Sequence, residues 1–220
     1  MADSSPPEVT AFSWVPPMPR GLVRDIRVRW ALEEVDRDYR TRLFDRRVSG
    51  PEDRKPEQPF GQVPAYREGN VALFESGAIC LWIAEKHPGL LPEDENARAS
   101  ALSWTFAALN SVEPNILLLQ YVTLFDADKP GAAEFVPTAQ SRLADRLQQL
   151  SDALGERDWL AGEFSVADIL MVSVLRQLGR GDRLDPFPNL VAYVARGEAR
   201  AAFKRAYDAH MADFMADAET

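Results

Sequence analysis

The sequence predicts two domains of different class, an α/β domain at residues 1–88 followed by an all-helical domain at residues 93–220. Three observations carry this. The first part alternates short β-prone runs with amphipathic helical runs in the order β-α-β, loop, β-β-α. The stretch Leu90-Leu91-Pro92-Glu93-Asp94 then interrupts the pattern with a proline followed by acids. From Glu95 onward apolar residues recur at helical spacing nearly to the end.

Residues 1–8 are polar and acidic with two prolines and are expected to be disordered. Val9 to Trp14 reads as the first strand. Pro16, Pro17 and Pro19 remove backbone donors, so the stretch that holds them is a loop. Arg20 or Gly21 then opens a helix to about Val35. Val28, Leu32 and Val35 form one apolar stripe and Val23, Ile26 and Trp30 a second, which predicts a helix buried on two sides. Arg20, Arg24 and Arg27 share its remaining face, either as a solvated surface or, at its first members, as partners for a ligand's carboxylates. Asp38 to Phe44 reads as a second strand, and residues 45–58 as a charged, proline-bearing connection. Ala65 to Arg67 extends, Glu68-Gly69-Asn70 signals a hairpin turn, and Val71 to Phe74 is the returning strand. Ser76 stands where a helix N-cap belongs, ahead of a helical run to Glu85 that Pro88 and Gly89 end.

In the second part, Ala97 to about Phe125 reads as one long helical segment interrupted at Pro114. Trp104, Phe106 and the run Ile116 to Leu119 are its expected core. Asp126 to Gly131 breaks it. Ala132 to Leu154 is the next helix, with Leu143, Leu147 and Leu150 as its buried stripe. Ser165 and Asp168 then form an N-cap pair, with Asp in the place usually given to Glu or Gln, and Phe164 and Ile169 at the staple positions. The apolar run through Leu175 covers all faces, so this helix is expected to be central. After Gly181, Pro186 and Pro188, residues 189 to about 215 complete the helices.

Composition excludes several function classes. No apolar run is long enough to span a bilayer. The start, Met-Ala-Asp-Ser-Ser-Pro-Pro-Glu, lacks the basic and apolar parts of a signal peptide. The formal charge of −9 argues against general nucleic-acid binding but leaves room for a local basic pocket. One cysteine permits no intrachain disulfide and fits a reducing, cytoplasmic compartment. The C-x-x-C redox motif is absent, as are a phosphate loop and a dinucleotide fingerprint. His87 and His210 have no partners at metal-ligand spacing, so no metal is expected. Cys80, among Ile79, Leu81 and Ile83, reads as a core thiol.

The ordered set of Val63-Pro64, hairpin, Glu75-Ser76 and helix resembles the soluble glutathione S-transferases, and the capped helix at Ser165–Asp168 agrees. The resemblance covers about Val9 to Phe214. It implies a thioredoxin-like first domain, a glutathione site on it, an electrophile site in the cleft between domains, and a homodimer built from the third and fourth helices. Residue by residue, it implies that Gln62 and Val63 meet the peptide portion of glutathione, that Pro64 makes a cis turn, and that Glu75 and Ser76 hold the γ-glutamyl end. The chemistry suits that end. A helix N-terminus favours a carboxylate, and a neighbouring carboxylate favours an ammonium. The implied function is conjugation of the glutathione thiol to a small electrophile, or related glutathione chemistry. A non-catalytic binding or scaffold protein of the same fold is the other reading.

One departure from the family stands out. Most members place a Tyr, Ser or Cys after the first strand or at the start of the first helix, facing the thiol. Between Trp14 and Asp38 this chain has no Ser, Thr, Tyr or Cys. A thiol of pKa about 8.5 needs a cation or helix-terminal N–H groups to ionise near neutral pH. The expected substitute is Arg20 with the N–H groups of Gly21 and Leu22, with Arg24 in reserve and Ser13 as a further candidate.

Overall fold

The computed structural model describes residues 5–179 and 183–215. Residues 1–4 of the expected disordered arm, and Gly181, lie outside the described residues. The chain forms two compact units, Met1–Leu91 with Glu198–Thr220, and Pro92–Gly197.

The first unit is thioredoxin-like. Its elements are β1 (Glu8–Trp14), α1 (Asp25–Glu34), β2 (Arg40–Asp45), a single 3-10 turn at Pro51–Asp53, β3 (Ala65–Glu68), β4 (Val71–Phe74) and α2 (Ser76–Lys86). The four strands lie in the order β2-β1-β3-β4. β1 runs parallel to β2, and antiparallel to β3, which is antiparallel to β4. Val9, Ala11, Ile26, Val28, Leu32, Ile79 and Ile83 form the core.

α1 starts later than the sequence suggested. Residues 17–24 form a succession of turns, with Gly21 at φ +80°, and helical pairing begins only at Asp25. Apolar spacing cannot separate a tight turn from the first turn of a helix, and the left-handed glycine excludes the latter. Only part of the arginine face is open: Arg20 and Arg24 are half-buried, but Arg27 is buried. β2 is displaced from the expected Asp38–Phe44 to Arg40–Asp45, starting where the Arg40 N–H donates to the Pro7 carbonyl at 2.8 Å.

The last helix, α8 (Ala201–Met215), packs against α1. This differs from a helical domain running unbroken over residues 93–220. Phe203 sets its ring edge-on to the buried Trp30, with centroids 4.9 Å apart. A charged cluster lies beside them. Asp25 Oδ2 accepts from Arg29 Nε at 2.8 Å and faces His210 Nδ1 at 2.9 Å, and Arg29 also pairs with Asp213. All but Asp213 are buried, so the charges stand because they are paired. Arg200 with Glu34 and Arg205 with Glu33 extend the same α1–α8 seam.

The second unit holds α3 (Glu95–Ala107), α4 (Glu113–Gln120), α5 (Ala132–Leu154), α6 (Val166–Arg176) and α7 (Pro188–Ala199), the last crossing the boundary between units. α3 and α4 form one helical run, widened into π turns at Ala108–Val112 and again at Tyr121–Phe125. Pro114 has no N–H to give, and its ring would strike the carbonyl four residues back, which accounts for the irregularity just before it. Ile116 and Leu119 are buried as expected, whereas Phe106 is 54% exposed. α5 buries Leu143, Leu147 and Leu150, and α6 is buried from Val166 to Leu175. Its cap works as the sequence suggested and more. The Asp168 carboxylate accepts from the Ser165 N–H and hydroxyl, from the Leu160 N–H and from the Tyr193 hydroxyl, at 2.8–3.1 Å.

Candidate functional site

Strand register assembles the site. Ala65 of β3 faces Phe74 of β4, so Pro64 and Glu75 leave the sheet at the same end. β1 runs antiparallel to β3, with Val9 opposite Tyr66, so the chain beyond Trp14 emerges at that end too. The β1–α1 connection, the turn before β3 and the start of α2 are thereby collected, though far apart in sequence.

The turn before β3 is held from several directions. The Val63–Pro64 peptide bond is cis. The Gln58 side-chain oxygen accepts from the N–H groups of Phe60 at 2.7 Å and Gln62 at 3.1 Å. Arg54 Nε donates to the Gly61 carbonyl at 2.8 Å, and its guanidinium lies over the rings of Phe12 and Phe44. Gly61, at φ +67°, has Pro51 against it at 2.6 Å from where a Cβ would stand, so no larger residue fits. Beyond the turn, the Ala65 N–H donates to Thr10 Oγ1 at 2.7 Å. Val63 and Pro64 are buried, and Gln62 is exposed.

At the start of α2 the structure refines the expected cap. Glu75, not Ser76, is the residue flanking the helix; Ser76 is its first member, and no side chain caps it. Glu75 is exposed and held at φ +69°. A non-glycine residue pays about 1–2 kcal/mol for this region, and such strain concentrates where a ligand is gripped. Ser76 is buried, and its Oγ accepts from Nη1 of Arg27 at 3.2 Å. An exposed carboxylate, a hydroxyl and the N–H end of a helix thus adjoin, an arrangement that accommodates an ammonium and a carboxylate carried on one carbon. Cys80, one turn along α2, is buried, and burial pushes its thiol up to about 12 against the opposing charge of Arg27. It is an inert core thiol.

The β1–α1 connection carries the residues expected to face a thiol. Arg20 Nε donates to the Val15 carbonyl at 3.2 Å, and its guanidinium stands 5.8 Å from the centroid of the Phe214 ring. Gly21 is buried against Tyr207. The Leu22 N–H donates to the Pro19 carbonyl at 3.0 Å. That N–H belongs to a turn rather than a helix start, which corrects the expected row of helix-terminal donors at Gly21 and Leu22. Arg24 is the residue before α1, and Ser13 stays half-buried on β1.

Sequence reasoning missed the supports of this site: Arg27, Arg54, Gln58 and Thr10. Spacing places Arg27 among the arginines of one face, but nothing local pairs it with a serine forty-nine positions on. A glutamine before Pro59 in a loop gives no sign that it is buried. Among the described residues no group of His, Cys, Asp and Glu is placed to hold a metal ion, and no helix is long and apolar enough to cross a membrane.

Comparisons with known proteins agree with this architecture. Residues 26–92 match the model for the glutathione S-transferase N-terminal domain, and residues 112–201 that for the C-terminal domain. Glutathione S-transferase Y1 of Cricetulus longicaudatus is 30% identical over 190 residues, covering 81% of this chain and 82% of that one. The disulfide-bond oxidoreductase YfcG of Escherichia coli is 32% identical over 154 residues, 63% of this chain and 68% of its own. A Pseudomonas fluorescens glutathione transferase family member, solved with two glutathione molecules bound, superposes with a TM-score of 0.79 at 21% identity, covering 91% of this chain and 92% of that one. Fold, cis turn and both domain matches lead to one assignment: the chain belongs to the glutathione S-transferase family.

Proposed function

We propose that the protein binds glutathione at the end of the sheet and transfers its thiol to a small electrophile. The observation that carries this reading is the start of α2, where strained Glu75 and buried Ser76 adjoin the cis Val63–Pro64 turn. Glu75 takes the γ-glutamyl ammonium, and Ser76 with the helix N–H groups takes its carboxylate. Val63, with Gln62 beside it, takes the peptide portion, and Pro64 sets the direction of that edge. Calorimetric titration with glutathione tests it. Joint substitution Glu75→Ala and Ser76→Ala is expected to weaken binding by about 10–100-fold, as for loss of charge-assisted hydrogen bonds. No detectable heat at millimolar glutathione removes the reading.

For the thiol, the proposed partner is Arg20, with Gly21 and Leu22 shaping the turn that carries it and Arg24 in reserve. Lowering a thiol from about 8.5 by one to two pH units takes roughly 1.4–2.7 kcal/mol, within reach of a nearby guanidinium. The thiolate absorbance of bound glutathione, followed against pH, is expected to shift upward in Arg20→Ala.

A second reading, binding without turnover, is favoured by the lack of any Ser, Thr, Tyr or Cys between Trp14 and Asp38. Turnover of a generic aryl halide or hydroperoxide with glutathione separates the two, and the hydroperoxide arm also tests a reductive role such as the name of the Escherichia coli relative suggests. A homodimer belongs to the proposal. Exposed Phe106 of α3 supplies apolar surface for it, and a solution mass at micromolar concentration checks it.

A further inference from the structure

The group that fixes the Ser76 hydroxyl comes from α1 and is charged. Arg27 is 2% exposed and Ser76 4%, and Nη1 of the one donates to Oγ of the other at 3.2 Å. A cation of this kind is costly to bury and persists where its charge is used. A serine hydroxyl has one proton and two lone pairs. With a guanidinium N–H on a lone pair, the hydroxyl proton is left to donate elsewhere, and polarisation by the cation makes it a stronger donor. Ser76 is also the first residue of α2, so the cation lies beside the positive end of that helix.

We propose that Arg27 is a positioning residue for a carboxylate at the start of α2: it holds the Ser76 hydroxyl with its proton turned toward that carboxylate and adds its charge beneath the site. The proposal rests on the reading that Ser76 receives the γ-glutamyl carboxylate of glutathione. Arg27 does not touch the ligand; it acts through Ser76. The consequence is selectivity for the carboxylate rather than for the tripeptide as a whole.

Two ligands separate this from a merely structural role: glutathione, and 4-aminobutyryl-cysteinylglycine, which lacks only the γ-glutamyl α-carboxylate. The wild type is expected to prefer glutathione by about tenfold or more, as for one charge-assisted hydrogen bond. In Arg27→Gln that preference is expected to fall by about threefold or more, the helix N–H groups keeping the remainder, while the affinity for the analogue stays within about twofold of wild type. Ser76→Ala is expected to lose the same preference, and the double variant to lose little more, because the two residues act as one unit. Equal weakening of both ligands in Arg27→Gln, or no change in either, overturns the proposal. If Ser76→Ala keeps the full preference, the carboxylate does not sit at Ser76, and the proposal falls with the reading beneath it. If Ser76→Ala loses it and Arg27→Gln does not, only the role of Arg27 is refuted. Should Arg27→Gln fail to fold, Arg27→Lys keeps the charge without the planar guanidinium. A preference reduced by about threefold or more then supports the proposal, and an unchanged one refutes it.

Discussion

Single residues in this protein carry charge where the sequence gives little sign of it. Asp25 is the clearest case. Burial alone would raise its pKa, but His210 and Arg29 beside it more than offset that, so its carboxyl lies below the ordinary 3.8. The folded state therefore releases this proton more readily than the unfolded chain. The stabilisation is complete above about pH 4 and is lost as pH falls through the lowered value. Asp25→Ala is expected to cost about 3–5 kcal/mol at neutral pH, because Arg29 and His210 stay buried with one partner fewer. In denaturant unfolding from pH 7 down to pH 2.5, the gap between wild type and variant should narrow below pH 4; a constant gap would contradict the account. Asp168 illustrates the same point with hydrogen bonds. Asp168→Asn keeps an acceptor for two of its donors but turns an amide N–H toward the Ser165 N–H, or the reverse. It is expected to cost about 1–3 kcal/mol by equilibrium unfolding. The sequence showed this residue as half of a helix cap, because that pattern is local. Its bonds to Leu160 and Tyr193 were hidden, because they depend on tertiary packing.

Among the elements, α2 is where stability and binding compete. Glu75 holds a left-handed conformation that glycine would adopt without strain. Glu75→Gly is therefore expected to raise the unfolding free energy by a few tenths to about 1 kcal/mol, and to weaken glutathione binding in calorimetry. A variant both less stable and equally good at binding would refute the trade. Hairpin and α2 were legible because turn residues and an apolar run lie within one short stretch, whereas the cis form of Val63-Pro64 was expected only through the family resemblance. The start of α1 was not legible. Its stripes continue back through Val23, and only the left-handed backbone of Gly21 shows that the chain is still turning there. Nor was the exposure of Phe106, since helical spacing gives a face but not what covers it.

On the scale of the molecule, the return of α8 decides what counts as the first unit. An amphipathic terminal helix has the same pattern whichever unit it covers, so the sequence placed residues 93–220 together. The contacts instead assign Glu198–Thr220 to the thioredoxin-like unit. The reason is physical: α8 brings Phe203 onto Trp30, His210 to Asp25 and Asp213 to Arg29. Without it, α1 would expose a tryptophan, and the buried Asp25–Arg29 pair would lose His210 and Asp213. A fragment of residues 1–91 is therefore expected to lack cooperative thermal unfolding and to show poorly dispersed amide resonances. Adding residues 198–220 to its end through a flexible Gly/Ser linker is expected to restore both, because a linker adds only closure entropy and no strain. In the linked fragment, Asp25→Ala should be at least as harmful as in the whole chain. Cooperative unfolding of residues 1–91 alone, at the same midpoint as the linked fragment, would show that α8 is an ornament to this unit and not part of its core.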